Sequence, residues 1–182
     1  MSEFSLRFLQ ASLGNDAFLE ELLFALGGLQ GLIGWWMVSS GVNSDLTSVA
    51  PYRLMTHFCL ALLIIAYCFW LWLELGAVKR EAPQPAFKWA TTIIWIVGIQ
   101  MALGALVAGL DAGRGYTDWP LMAGKFAPDE MWMLDPFWRN FVENPAMAQF
   151  VHRLTAYALL AVAAWTAWKF RTQHWSLRSG RA

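Results

Sequence analysis

Apolar residues in this chain come in long unbroken runs, and charged residues mark their ends. Residues 22–44 carry no charge, with the apolar part ending near Val38; 54–73 is uncharged between Arg53 and Glu74, and 89–110 between Lys88 and Asp111. Each approaches or exceeds the ~20 apolar residues that cross a bilayer as one helix. The last run, 154–168 between Arg153 and Lys169, is shorter. It spans if its helix starts near Pro145 and takes His152 and Arg153 into its first turns. Proline suits the first turn of a helix, and a long arginine stem snorkels to the interface. The expected fold class is all-α: a polytopic membrane protein with four transmembrane helices.

Three stretches are not spans. Residues 1–21 mix apolar and polar positions without a basic leader region or a small-residue cleavage site, so we expect a surface-lying amphipathic helix or a disordered end rather than a signal peptide. An inner loop over 76–88 contains Pro83 and Pro85, which predict a short turn at 82–87. The loop 111–144 is long and aromatic, with Trp119, Phe126, Trp132, Phe137, Trp138 and Phe141. Such a loop is expected to fold back as a lid or to lie in the membrane interface. The organisation is thus 1–21, a first helix pair over 22–75, the inner loop 76–88, a second pair over 89–170 with its long outer loop, and a basic tail over 171–182.

Charge adds an orientation. Arg7, Lys79, Arg80, Lys88, Lys169, Arg171, Arg178 and Arg181 fall on the side of the termini; Arg53, Arg114, Lys125, Arg139 and Arg153 fall on the other. The positive-inside rule then places both termini in the cytoplasm or matrix. Trp35 and Trp36 sit near the outer interface and Trp70, Trp72, Trp89, Trp165 and Trp168 near the inner one. Composition agrees: 58% of the 182 residues are hydrophobic and only 14% charged. The 13 basic residues balance 13 acidic ones, which leaves no footprint for nucleic acid. Cys59 and Cys68 are ~13 Å apart along one helix, too far for a disulfide, and are expected to pack.

Ionisable residues inside a span are the first place to look for function. His57 lies ~6 Å of helical rise beyond Arg53, and His152 enters the fourth span at a similar depth from the same outer side. Each has an alanine four residues on, Ala61 and Ala156, which leaves room beside the ring. Two readings stand: each imidazole bonds a carbonyl or loop side chain at the interface, or the pair ligates heme iron, as histidines in helix bundles often do. His174, in the basic tail, is read as solvated. Gly27, Gly31 and Gly34 in the first helix, and Gly98, Gly104 and Gly109 in the third, are expected to let helices approach closely; Gln30 is expected to bond across a helix contact.

The blocks Gly28-Leu-Gln-Gly-Leu-Ile-Gly-Trp-Trp-Met-Val38 and Tyr52-Arg-Leu-Met-Thr-His57 resemble the third and fourth helices of heme A synthases. Leu103-Gly-Ala-Leu-Val-Ala-Gly-Leu-Asp-Ala-Gly113, Tyr116-Thr-Asp-Trp-Pro-Leu-Met122, Arg139-Asn-Phe-Val-Glu-Asn144 and Gln149-Phe-Val-His-Arg153 resemble the fifth and sixth helices and the loop between them. The resemblance implies a membrane oxidoreductase of heme A biosynthesis and cytochrome oxidase assembly, converting a ring methyl of heme O to formyl. It implies an eight-helix fold in two similar halves, each holding a heme between two histidines, of which these four helices form a partial bundle. By position, His57 resembles a histidine facing the substrate heme O, and His152 an axial ligand of heme b.

The same resemblance implies that the partner histidines and the family's acid/base glutamate fall outside this chain, so no catalytic residue is assigned. Gln149 stands three residues before His152, and a carboxamide does not take up a proton as a carboxylate does. The expectation is a truncated or split enzyme needing a complementing polypeptide or a second copy of the chain. A variant has His57 and His152 share one heme. The alternatives are a non-catalytic b-type heme-binding membrane module and an inactive fragment. The absence of an arginine-rich, acid-poor leader favours a bacterial inner membrane over the mitochondrial one.

Overall fold

The structure, a computed structural model, describes residues 3–42, 49–75 and 84–171. They form α1 (Glu3–Val42), α2 (Pro51–Leu75), α3 (Gln84–Gly109), the short α4 (Asn140–Glu143) and α5 (Pro145–Phe170), with single 3-10 turns at Ala112–Arg114, Asp129–Trp132 and Phe137–Arg139. Four of the helices contain stretches long and apolar enough to cross a membrane: Phe18–Gly41, Pro51–Leu73, Phe87–Gly109 and Pro145–Phe170. The chain is an all-helical, multi-pass membrane protein. Large apolar side chains along these stretches, among them Leu32, Leu63, Ile94 and Leu160, stand exposed, the pattern of surfaces that lipid covers.

Two boundaries differ from those expected. The stretch over 1–21 is not set off from the first span: from Glu3 its backbone is helical and runs without a break into the apolar part. No proline interrupts residues 3–42, and nothing else in them forces a stop. The turn expected at 82–87 is displaced as well, because α3 begins at Gln84 and takes Pro85 into its first turn, where the missing N–H costs no hydrogen bond. The inner loop before Gln84, the segment 43–48 and the basic tail from residue 172, with His174, lie outside the described residues.

Each span packs on the next in chain order. Where α2 begins, Arg53 donates to the Trp36 carbonyl at 2.8 Å and stacks over the Trp36 ring at 4.6 Å, which fixes α2 against α1. Gly109 lets α3 meet α2, since a Cβ there would lie 2.9 Å from Pro51 Cα. At the other end of the second pair Trp89 and Trp165 lie 4.3 Å apart, with Lys169 Nζ 4.5 Å above the Trp165 ring. Trp89 thus meets Trp165 while Gly104 meets His152, so α3 and α5 run antiparallel.

The long loop over 111–144 supplies Ala112, Met122 and Met131 to the buried core, beside Leu106 of α3 and Ala146, Met147 and Ala148 of α5. Met131, Ala146 and Met147 pack together with Tyr116, Phe150 and Val151. Fully buried Asn140 donates to the Leu134 and Phe137 carbonyls and accepts from Leu134 N–H and Asn144 Nδ2. Asn144 caps α5 by accepting from the N–H groups of Ala146 and Met147. Arg153 reaches back from α5 and donates to the carbonyls of Tyr116, Asp118 and Leu121, at 2.7, 2.9 and 3.0 Å. The loop is therefore tied to the start of α5, and its rings at Trp119, Phe126, Trp132, Phe137 and Trp138 remain exposed.

Within the loop, Met122 and Lys125 pair across a two-residue turn whose central residues, Ala123 and Gly124, have φ of 54° and 77°. Both positive values are what the primed hairpin turn requires. The Asp118 carboxylate holds that turn by accepting from Gly124 and Ala123 N–H, and those two bonds keep its acid form below the usual carboxylate range. Because the folded pKa is depressed, the stabilisation is complete above the ordinary aspartate value of about 4 and is lost as pH falls through the lower folded value. Amide exchange at Ala123 and Gly124, corrected for intrinsic rates, is expected to lose protection below about pH 4, and Asp118→Asn to remove most of that pH dependence.

Candidate functional site

The two span histidines occupy matched places. His57 is the seventh residue of α2 and His152 the eighth of α5, each a turn or two inside its span. Each ring lies against the span that precedes its own. A Cβ built on Gly34 of α1 would lie 2.9 Å from His57 Cε1; one on Gly104 of α3 would lie 3.3 Å from His152 Cε1. At Gly34 a side chain would have to displace the ring, and at Gly104 the contact would be tight.

One turn before each glycine stands a glutamine. Gln30 Nε2 is 3.4 Å from His57 Nε2 and donates to the His57 carbonyl at 3.2 Å. Gln100 Nε2 is 3.2 Å from His152 Nε2. In both pockets the histidine Nδ1 and the glutamine Oε1 are buried without a hydrogen-bond partner. Hydrocarbon offers no water to satisfy these groups, so each orphan carries a cost that the pockets have in common.

The sequence contains this duplication. Gly28-Leu-Gln30 followed by Gly34 is repeated as Gly98-Ile-Gln100 followed by Gly104, the same spacing at the same place in two helices. Sequence reasoning singled out Gln30 for a cross-helix bond, which the structure contains, but passed over Gln100. It named Gly34 and Gly104 only as packing positions. It also looked for small neighbours on the histidines' own helices, at Ala61 and Ala156, whereas the close glycines lie on the helix opposite. Gly27, Gly31 and Gly98, expected at helix contacts, face open space among the described residues.

Each histidine has its own glutamine and its own glycine. Gln149 is buried and donates to the Tyr116 carbonyl at 2.8 Å, which makes it part of the loop's anchorage beside Arg153. Among the described residues no group of three or more His, Cys, Asp or Glu is placed to hold a metal ion, so the pockets offer lone imidazoles rather than an ion cage.

The family model COX15-CtaA, described as cytochrome oxidase assembly protein, matches residues 15–182. The heme A synthase of Hyphomonas neptunium is 56% identical over 151 residues, covering 82% of this chain and 43% of the relative. That of Dinoroseobacter shibae is 48% identical over 157 residues, covering 82% and 41%, and that of Paracoccus denitrificans 48% over 150 residues, covering 79% and 39%. The chain spans about two fifths of the length of these curated relatives. No solved structure matches it.

The two glycines are expected to differ under substitution. Gly→Ala within a helix gains roughly 0.5–1 kcal/mol from backbone entropy, while forcing a methyl into filled space costs roughly 1–3 kcal/mol. At Gly34, where the approach is 2.9 Å, overpacking wins and Gly34→Ala lowers stability. At Gly104 the 3.3 Å approach leaves Gly104→Ala near neutral. Thermal unfolding in detergent separates the two.

Proposed function

This chain belongs to the heme A synthase family of cytochrome oxidase assembly proteins, and on that premise we propose that it forms part of a membrane oxidoreductase that oxidises the heme O methyl to formyl. His57 would hold or face the substrate heme O, and His152 would hold heme b. Heme supplies the redox chemistry when bound, and the chain supplies the imidazoles, their orientation and a water-poor setting. The second ligand of each heme comes from outside these four spans, from further polypeptide or another copy of the chain.

The observation that carries this reading is the doubled pocket. Two imidazoles at matched depth, each against a glycine and each with its Nε2 beside a glutamine amide, suit two equivalent iron porphyrins better than two unrelated structural histidines. The donor set suits heme iron, for which one imidazole per face is enough. Both termini lie on the inner side of a bacterial inner membrane, a placement supported by the Lys/Arg bias. The alternative, a heme-binding membrane module without turnover, shares the pockets and differs only in its product.

Pigment extracted from membranes that carry the chain together with its complementing segments and accumulate heme O distinguishes them. Heme A is expected with the native sequence. His57→Ala is expected to abolish it while heme b is retained, and His152→Ala to abolish it with loss of heme b. Stable heme b and no heme A from the native sequence favours the module, and no pigment at all contradicts both.

A further inference from the structure

The glutamines meet their histidines through the amide nitrogen, and at Gln30 the orientation is fixed by chemistry. Its Nε2 lies 3.2 Å from the His57 carbonyl oxygen, which only accepts, so the NH2 end and not the C=O end faces that way. The same nitrogen is 3.4 Å from His57 Nε2 and has a second hydrogen for it. A ring nitrogen that accepts from N–H presents its lone pair and carries no proton. The neutral His57 ring therefore holds its proton on Nδ1. Gln100 stands 3.2 Å from His152 Nε2 at the corresponding place of the repeat, and Nδ1 is the unpartnered nitrogen in both pockets.

We propose that Gln30 and Gln100 are positioning residues that hold His57 and His152 in the Nδ1–H tautomer, keeping Nε2 unprotonated, the form in which that atom would bind iron. The proposal rests on the heme reading above for its purpose, but the tautomer is a property of the protein alone. Nε2 is the nitrogen that a mobile side chain covers, and a carboxamide is released from it by rotation without moving a helix. An isolated neutral imidazole favours the proton on Nε2, the form in which that atom cannot bind iron, so the glutamine works against the ring's own preference.

The chain has three histidines, so 15N-histidine NMR of the heme-free protein in lipid nanodiscs at mildly alkaline pH resolves each ring once His174→Gln removes the tail signal. His57 and His152 are both expected to carry a proton on Nδ1 only. Gln30→Met is expected to move His57 toward the Nε2–H form and leave His152 unchanged, and Gln100→Met to do the reverse, the unaffected ring reporting that the fold is intact. Heme affinity at the altered site is expected to fall about tenfold or more, the usual effect of losing a residue that orients a ligand. Nε2–H rings in the native sequence, or tautomers indifferent to the glutamines, overturn the proposal. If the tautomers follow the glutamines but no heme binds the complemented native protein, the heme reading falls and the positioning role stands.

Discussion

A polar ring inside an apolar span has to find its partners within the protein, because the surrounding hydrocarbon supplies none. That constraint organises both halves of this structure. Each imidazole is accommodated by deleting a side chain on the facing helix, at Gly34 or Gly104, and is bonded by a carboxamide one turn away. The distance between helices and the orientation of the ring are therefore set by the same few residues. Gly109 against Pro51 carries the same logic to the contact between the halves.

The second pocket depends on more than its own helices. Helix α5 begins at Pro145 under a cap made by Asn144, and Arg153, next to His152, is bound to three carbonyls of the 111–144 loop. The loop thus places the start of α5, and with it the depth of His152. An arginine at that depth is satisfied by backbone carbonyls rather than by a carboxylate, which leaves its charge near the interface without burying an ion pair. In the first pair Arg53 plays a comparable part through the Trp36 carbonyl and ring, four residues before His57.

The spans were legible because charge and hydropathy act locally along the chain. Even the fourth, interrupted by Arg153, followed from Pro145 and the reach of an arginine stem. Helix starts were less so: Pro85 reads as a turn until it is placed in a first turn, and the continuity of α1 from Glu3 has no signature beyond the absence of a breaker. His57 and His152 were found because ionisable groups are rare in spans. Gln100 was not, because its role depends on which face of α3 meets α5, and a single helix does not encode that. The repeat of Gly-x-Gln with a glycine four residues further on is the signal that identifies it.

The central proposal is that the chain offers two equivalent and independent imidazole sites for heme rather than one shared site. The heme-to-protein ratio of the complemented protein, measured on His57→Ala, His152→Ala and the double variant, tests it most directly. The account predicts two hemes for the native sequence, one for each single variant and none for the double. A single variant that loses all heme, or a double variant that keeps its full complement, contradicts it.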